Sequence, residues 1–349
     1  MGDRTTIAWT DATWTPIRAR RMDTGKVGVH CERVSEGCKN CYAATFNQRN
    51  LPVHGTGLDF TILNREKVEI FVDDEMLLAP IRWKRPRRIF VCSQTDLFGE
   101  FVSDAQIDQV FAAMALCPQH TFQVLTKRPQ RMRQWVTNDG NEDDESMRDR
   151  MDEAAARNFE ACHANMNPPE RWPLPNVWLG VTAENQARAD ERIPLLLQTP
   201  AAKRFVSVEP MLGPVDLFNA GMKLDGKLNR QTGERAFLHW VICGGESSQG
   251  ARPMHPDWVR SLRDQCQAAA VPFLHKQNGE WAPGETVDRT TGIVETARLI
   301  DDQWFFGKES LARTDGHVDD QPDVYRVGKK AAGRLLDGRE WNQFPEVTP

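Results

Sequence analysis

The stretch "RIFVCSQTDLFGEFVSDAQIDQVFAAMALCPQHTFQVLTKRP", Arg88 to Pro129, decides the fold class. It begins and ends with a short apolar run, and neither run alternates cleanly between apolar and polar residues, which is typical of strands covered on both faces. Between the two runs, Ser103 is suited to cap a helix whose apolar residues recur at helical spacing. Strand, helix and strand at this distance predict a βα unit with parallel strands.

The same alternation recurs along the chain. Further apolar runs end in polar or glycine-rich residues: "NVWLGVTAEN" from Asn176, "KRFVSVEP" from Lys203, "HWVICGGES" from His239 and "PFLHKQNG" from Pro272. A candidate strand in "TIAWTDATW", Thr6 to Trp14, brings the total to about seven. We therefore expect an α/β fold, a partial or closed (β/α) barrel of about seven parallel strands.

Composition narrows the class of protein. The 349 residues include no apolar run close to the ~18 that would span a bilayer, and the N-terminus lacks the apolar segment of a signal peptide. We expect a cytoplasmic protein with no membrane partner. The net charge of −5 does not favour nucleic acid, yet the basic runs Ile81 to Arg88 and Thr126 to Arg133 are suited to phosphate.

Three of the eight cysteines, Cys31, Cys38 and Cys41, lie within eleven residues in "HCERVSEGCKNCYA". A cytoplasmic chain of this size is not expected to carry a disulfide framework, so the cluster suggests a metal site. Zinc would need a fourth ligand, for which His30 or His54 is available. An iron–sulfur cluster held by three thiolates would leave one iron for an external ligand. Both interpretations stay open at this point.

Polar residues follow nearly every predicted strand, and barrel enzymes place their chemistry at the carboxyl ends of the strands. The cysteine loop follows the first candidate strand, so we expect it at the same edge. Among these residues Glu209, at the abrupt strand exit before Pro210, and Lys276 are our candidates for catalysis. The other candidates, as cofactor contacts, are Thr95, Asp96, Lys127, Thr182 and Glu184.

Motifs spread from Ile7 to Trp341 carry a resemblance. Among them are "TDATWTPI", "SEGCKNCYA", "VLTKRP", "NVWLGVTAENQ", "WVICGGES", "PFLHKQNG" and "VGKKAAGRLLDGREW". Together they closely resemble the phage-type three-cysteine-motif family, long catalogued as a domain of unknown function. That family is similar to a divergent branch of radical S-adenosylmethionine (SAM) enzymes, whose familiar spacing has three residues, not six, between the first two cysteines. The order "TDLF" then "LTK" is similar to the spore photoproduct lyases.

The resemblance implies a cofactor and a reaction. Cys31, Cys38 and Cys41 would bind a [4Fe–4S] cluster whose fourth iron is chelated by SAM. Thr95 and Asp96 would meet the ammonium of SAM, Lys127 its carboxylate, and Thr182 and Glu184 the ribose. An external electron donor would drive cleavage of SAM to a 5′-deoxyadenosyl radical. The implied substrate is a nucleic-acid base or nucleotide, in DNA base modification or repair.

Two domains are expected. Residues 1–279 would form the barrel, with the cluster loop at 31–41 and an acidic insertion at about 138–165, and residues 280–349 a C-terminal appendage of a hairpin and a short basic helix. The alternative function is a non-catalytic barrel, stabilised by zinc or an iron–sulfur cluster, that binds nucleic acid or a protein partner.

Overall fold

The computed structural model describes residues 5–49, 55–137, 147–159, 172–222, 237–284, 293–310 and 323–346. The described strands are β1 (Ala12–Trp14), β2 (Ile17–Arg21), β3 (Val27–Gly28), β4 (Val68–Val72), β5 (Arg88–Val91), β6 (Thr121–Thr126), β7 (Val177–Thr182), β8 (Lys203–Val208), β9 (Trp240–Gly244), β10 (Phe273–Gln277), β11 (Trp281–Pro283), β12 (Ile293–Ile300), β13 (Gln303–Ser310) and β14 (Val324–Arg326). The helices are α1 (Tyr42–Gln48), α2 (Asp74–Leu77), α3 (Ala79–Arg82), α4 (Asp104–Ala115), α5 (Pro129–Thr137), α6 (Met147–Phe159), α7 (Gln186–Gln198), α8 (Pro256–Ala268) and α9 (Lys329–Ala332).

Seven parallel strands form the large sheet, in the order β1-β5-β6-β7-β8-β9-β10. They are the seven strands that the apolar runs predicted. Strands β7, β8 and β9 are buried along nearly their whole length, which explains why their sequences do not alternate. The α/β class and the strand count are confirmed. Closure into a full barrel is not shown, since β1 and β10 are the two edges of the sheet in the described residues.

The free edge of β10 is occupied by residues near the C-terminus. The His275 amide donates to the carbonyl of Trp341 at 2.9 Å, and the Gln343 amide donates to the carbonyl of Phe273 at 3.1 Å. Leu274 and Asn342 form an antiparallel bridge between these two bonds. Backbone groups that an open sheet would leave unpaired are therefore satisfied.

Helix α4 begins where the sequence predicted. The Ser103 hydroxyl accepts from the amide of Gln106 at 3.3 Å, and the Gln106 side chain accepts from the amide of Ser103 at 3.0 Å, which is a capping box. The apolar face of the helix is buried, and the ring of Phe111 packs 4.3 Å from that of Trp135 on α5. The N-cap at Ser103 is confirmed.

A second, antiparallel sheet in the order β3-β2-β4 was not predicted. Its strands are short, and β2 reads "IRARR", with three arginines in five residues. Neither an apolar run nor a period of two marks such a segment, because the strands of this sheet are mixed in polarity. Strands β2 and β3 lie in the chain between β1 and the cysteines, so the cysteine loop does not follow the first parallel strand directly.

The C-terminal region contains a four-stranded sheet in the order β11-β14-β12-β13, in which β12 and β13 form a hairpin over eight paired residues each. The short helix α9 carries Lys329 and Lys330. This hairpin and α9 lie within residues 280–349, and the expected division into a barrel and a C-terminal appendage stays a prediction. The acidic insertion lies partly outside the described residues, which include only α6 from it.

The chain forms two compact units. The first comprises Met1–Val181 and Pro194–Phe205, and the second comprises Thr182–Ile193 and Val206–Pro349. Among the helices that the structure describes, none combines the length and apolar character needed to cross a membrane.

Candidate functional site

The three clustered cysteines lie on one loop in the first unit, between β3 and α1. All three are free thiols and partly exposed. Cys31 and Cys41 pack against one small apolar cluster, formed by Val29, Ala43, Ala44 and Phe60. The two ends of the loop are therefore anchored on the same core, while the three residues remain partly exposed.

Asn47 on α1 fixes the segment behind the loop. Its amide nitrogen donates to the Thr56 hydroxyl at 2.8 Å and to the Leu58 carbonyl at 2.9 Å. Its oxygen accepts from the amides of Val29 and Thr56, both at 3.1 Å. A Cβ at Gly28 would lie 2.5 Å from the Thr56 nitrogen, so this close approach requires glycine.

The loop is tied to the carboxyl ends of β5 and β6. The Thr95 hydroxyl donates to the carbonyl of His30 at 2.5 Å, and the Tyr42 hydroxyl donates to the carbonyl of Ser93. Arg128, just after β6, donates to the carbonyl of Glu32 at 3.4 Å. The loop thus lies at the carboxyl ends of the parallel strands, as expected, although the unpredicted strands β2 and β3 precede it in the chain.

Asp96 is buried and connects these strand ends. One carboxylate oxygen accepts from the Thr126 hydroxyl at 2.7 Å and from the amide of Phe98 at 3.1 Å. The other accepts from the amide of Lys127 and from Arg128, both at 3.1 Å. Both oxygens are therefore engaged within the protein. Lys127 itself is half-buried next to this carboxylate.

Arg128 has ion pairs on two sides. It contacts Glu100 at 2.7 Å in addition to Asp96, and its guanidinium lies 3.8 Å from the carboxylate of Glu32. Burial disfavours the charged form, yet the charges of Asp96 and Glu100 raise the pKa of Arg128 above the usual arginine value. The site therefore keeps a fixed positive charge beside the cysteine loop.

Burial, together with the negative charge of Asp96, raises the pKa of the Cys31 thiol to about 12, and Arg128 acts against this rise. Without a bound metal, Cys31 is therefore a neutral thiol near pH 7. The described residues include no group of three or more His, Cys, Asp or Glu side chains that could hold a metal ion.

His30, a possible fourth zinc ligand, is buried between the loop and aromatic rings. Its Nε2 lies 3.5 Å from Glu32, and its ring meets that of Phe101 edge to face at 4.9 Å. Burial lowers the pKa of His30, although Glu32 opposes this. Glu32 is held by two bonds from Arg65 at 2.7 and 2.8 Å. The other possible ligand, His54, lies outside the described residues.

In the second unit, Thr182 and Glu184 are both bound to Arg192. The guanidinium donates to the Thr182 carbonyl at 2.9 Å and to the Glu184 carboxylate at 3.0 Å. The side chains of Glu184 and Arg192 are 0% and 1% exposed. Glu184 has no surface open to a ligand in this arrangement, and its expected contact with ribose stays a prediction.

Glu209 and Lys276, the two predicted catalytic residues, are brought together in the second unit. The Lys276 ammonium lies 3.1 Å from one oxygen of Glu209, and the Ser207 hydroxyl donates to the other at 3.3 Å. A Cβ at Gly244 would come within 2.5 Å of the Glu209 carboxylate, so glycine makes room for it. Burial, then the nearby Glu209 charge, raises the pKa of Cys243 far above its usual value.

The basic runs are mostly used inside the fold. Arg131 donates to the carbonyls of Gly99 and Val102, and Arg128 is buried. The guanidinium of Arg87, in the first run, lies 4.7 Å from the ring centroid of Trp83. Trp83 precedes β5 and therefore lies at the amino ends of the parallel strands, whereas the cysteine loop lies at their carboxyl ends.

The fold and the loop define an α/β protein with three free cysteines at the carboxyl ends of its parallel strands. The chain belongs to the family described as "Protein of unknown function (DUF5131)", which matches residues 4–345. No curated protein and no solved structure matches the chain. Membership of a family of unknown function is therefore shown, whereas the likeness to radical SAM enzymes, to spore photoproduct lyases and to phage proteins stays a hypothesis.

Sequence reasoning missed the residues that hold the loop. Arg128 was included only in the basic run from Thr126 to Arg133, and Glu32, Arg65 and Asn47 were not noted. Their partners are distant in sequence, as with Arg65 and Glu32, 33 residues apart. The one local indication was the position of Arg128, two residues after a buried strand.

Proposed function

We propose that the protein is a radical SAM enzyme in which Cys31, Cys38 and Cys41 bind a [4Fe–4S] cluster. The observation that carries the proposal is a loop with three free, partly exposed thiols, held at the carboxyl ends of β5 and β6. Three thiolates suit a cluster that binds a further ligand from outside, because each cysteine occupies one iron and the fourth iron has no protein ligand.

When bound and reduced, the cluster supplies the electron that cleaves SAM into methionine and a 5′-deoxyadenosyl radical, which abstracts hydrogen from the substrate. The chain's own residues would hold and orient the reactants. Arg128 offsets the negative charge of the thiolates, and Lys127 binds the carboxylate of SAM. Thr95 and Asp96 bond to other parts of the chain, which supports a role in positioning the residues around the cofactor. The bond between Glu184 and Arg192 supports a similar positioning role at the end of β7.

For Glu209 and Lys276 we propose contact with the substrate. A carboxylate and an ammonium 3.1 Å apart, both partly exposed, can bind a polar group or exchange a proton with it. We propose a nucleic-acid base or nucleotide as the substrate and an external protein as the electron donor. Lys39, an exposed cation on the cysteine loop itself, supports the first of these because it can contact a phosphate.

The test is anaerobic reconstitution with iron and sulfide, followed by SAM and dithionite. We expect about four irons per chain, a brown protein, and 5′-deoxyadenosine detected by chromatography. Cys31→Ala, Cys38→Ala and Cys41→Ala should each lose the cluster, because it has no spare protein ligand. Cys117→Ala is the matched control, since Cys117 is buried between α4 and β6, away from the loop, and should retain all the iron.

Failure to take up iron, with one zinc bound in its place, would contradict the proposal. It would favour the alternative of a non-catalytic metal-stabilised protein. A cluster that all three cysteine variants retain would equally contradict the assigned ligands.

A further inference from the structure

Helix α1, directly after Cys41, has two aromatic side chains on its solvent side. Ala43, Ala44 and Asn47 are buried, whereas Tyr42 and Phe46 are each 47% exposed. The two rings meet edge to face with their centroids 6.3 Å apart. An exposed pair of aromatic rings beside a candidate site is the kind of apolar surface that marks an interaction.

The rings are held in place from both sides. The Tyr42 hydroxyl donates to the carbonyl of Ser93 at the end of β5, which fixes this ring against the strand that carries the candidate site. The Arg49 guanidinium lies 5.4 Å from the centroid of the Phe46 ring. Rings that are already ordered bind a planar ligand with little further loss of side-chain entropy.

The charged side chains of the segment that carries these rings have one sign. From Gly37 to Leu58 the sequence contains Lys39 and Arg49 and no aspartate or glutamate. Both cations are exposed, and neither forms an ion pair in the part of the chain that the structure describes. A surface of aromatic rings flanked by unpaired cations complements a ligand that has both planar rings and negative charge.

We propose that Tyr42, Phe46, Lys39 and Arg49 form an aromatic shelf that binds an unpaired base of single-stranded nucleic acid. Because the two rings are nearly perpendicular, one of them stacks with the base and the other contacts its edge, while the cations contact the adjoining phosphates. A base within a duplex has no free face, so the shelf requires a single strand or an extruded base. The inference rests on the proposed function and deepens it, because it states how the substrate is presented beside the cysteine loop.

The test measures binding without chemistry. The full-length protein, with neither SAM nor reductant, is titrated into a fluorescein-labelled oligothymidylate of roughly 15 nucleotides, and anisotropy is recorded. Tyr42→Ala and Phe46→Ala should each weaken binding by roughly ten-fold, and Phe46→Trp should retain it. Phe305→Ala is the matched control, because Phe305 on β13 is 54% exposed and belongs to another sheet.

Charge reversal gives a second measurement. Lys39→Glu and Arg49→Glu should each make the salt dependence of binding shallower. The magnitude of the slope of log affinity against log salt should fall by roughly 0.7 or more, the amount expected for one phosphate contact on a single strand. These variants leave both rings in place, so their effect does not depend on loss of the aromatic pair.

No binding by the wild type, or equal binding by wild type and shelf variants, would overturn the proposal. It would also be overturned if the oligonucleotide is not bound but Tyr42→Ala slows reduction of the protein by a purified flavodoxin, because the shelf would then be a protein-docking surface. Oligonucleotide binding does not need the cluster. If the shelf variants bind as the wild type does while 5′-deoxyadenosine still forms, only the shelf is refuted. If binding is normal but the protein takes up no iron, only the proposed function is refuted.

Discussion

Asp96 is the residue through which the ends of β5 and β6 and the cysteine loop are connected. Its carboxylate accepts bonds from Thr126, Phe98, Lys127 and Arg128, and Arg128 reaches on to Glu32 beside Cys31. A buried carboxylate with four donors is a structural anchor before it is anything else. Its sequence context, "TDLF", indicates only a polar residue after a strand.

We expect Asp96→Asn to lower the free energy of unfolding by about 3 kcal/mol, because it removes one of the charges paired with buried Arg128 and replaces an oxygen that accepts two bonds by an amide nitrogen that cannot accept. Urea denaturation would measure the change. The matched control is Asp104→Asn, which removes an exposed carboxylate that lies 2.9 Å from Arg131 and should cost less than about 1 kcal/mol. Equal effects of the two substitutions would contradict the role of Asp96 as an anchor.

At the scale of the elements, the ends of β8, β9 and β10 pack closely at two glycines. Gly244 gives space to the Glu209 carboxylate. A Cβ at Gly245 would lie 2.2 Å from the backbone oxygen of Asn278, just after β10. The two glycines of "GGES" therefore have a steric reason, which the sequence alone could not separate from a ligand-binding turn.

Gly245→Ala should destabilise the protein by about 2 kcal/mol, since the neighbouring group is backbone and cannot rotate away. Gly213→Ala offers a matched control, because the nearest atom to its added Cβ is the Cβ of Asn185 at 3.5 Å, an ordinary contact. The difference in thermal denaturation midpoint between these two variants is the measurement. Tolerance of alanine at residue 245 would show that the two strand ends can separate at little cost.

Buried histidines contribute to the response of the whole molecule to acid. Burial lowers the pKa of His275 to about 4, and burial also lowers the pKa values of His30 and His120. In the unfolded chain these groups take up a proton near pH 6.5. The unfolded state therefore binds more protons between about pH 6.5 and 4, and the folded state loses stability as the pH falls through that range.

For His275 alone the loss should approach about 3 kcal/mol by pH 4, because each pKa unit corresponds to about 1.4 kcal/mol. His275→Gln should remove this part of the pH dependence while retaining a donor for the Asn278 oxygen, which lies 2.8 Å from His275 Nε2. Urea titrations from pH 7.5 to pH 5 test it, with His255→Gln as a control at a partly exposed position. An unchanged slope in His275→Gln would contradict the assignment.

The sequence by itself determined the seven parallel strands, the cap at Ser103 and the placing of three cysteines on one loop. Each of these depends on residues close together in the chain, where period, propensity and spacing can be read directly. The sheet of β2, β3 and β4 escaped prediction because its short strands are rich in charge.

Only the tertiary structure decided which partner each polar residue takes. Thr95 meets His30 across 65 residues, Arg128 meets Glu32 across 96, and the Trp341 region covers the edge of β10. The polar groups at the strand ends all appeared equally available in the sequence. Burial then forced Asp96 and Glu184 to find internal partners, while Lys39 and Arg49 remained at the surface, because an unpaired charge is costly only where water is excluded.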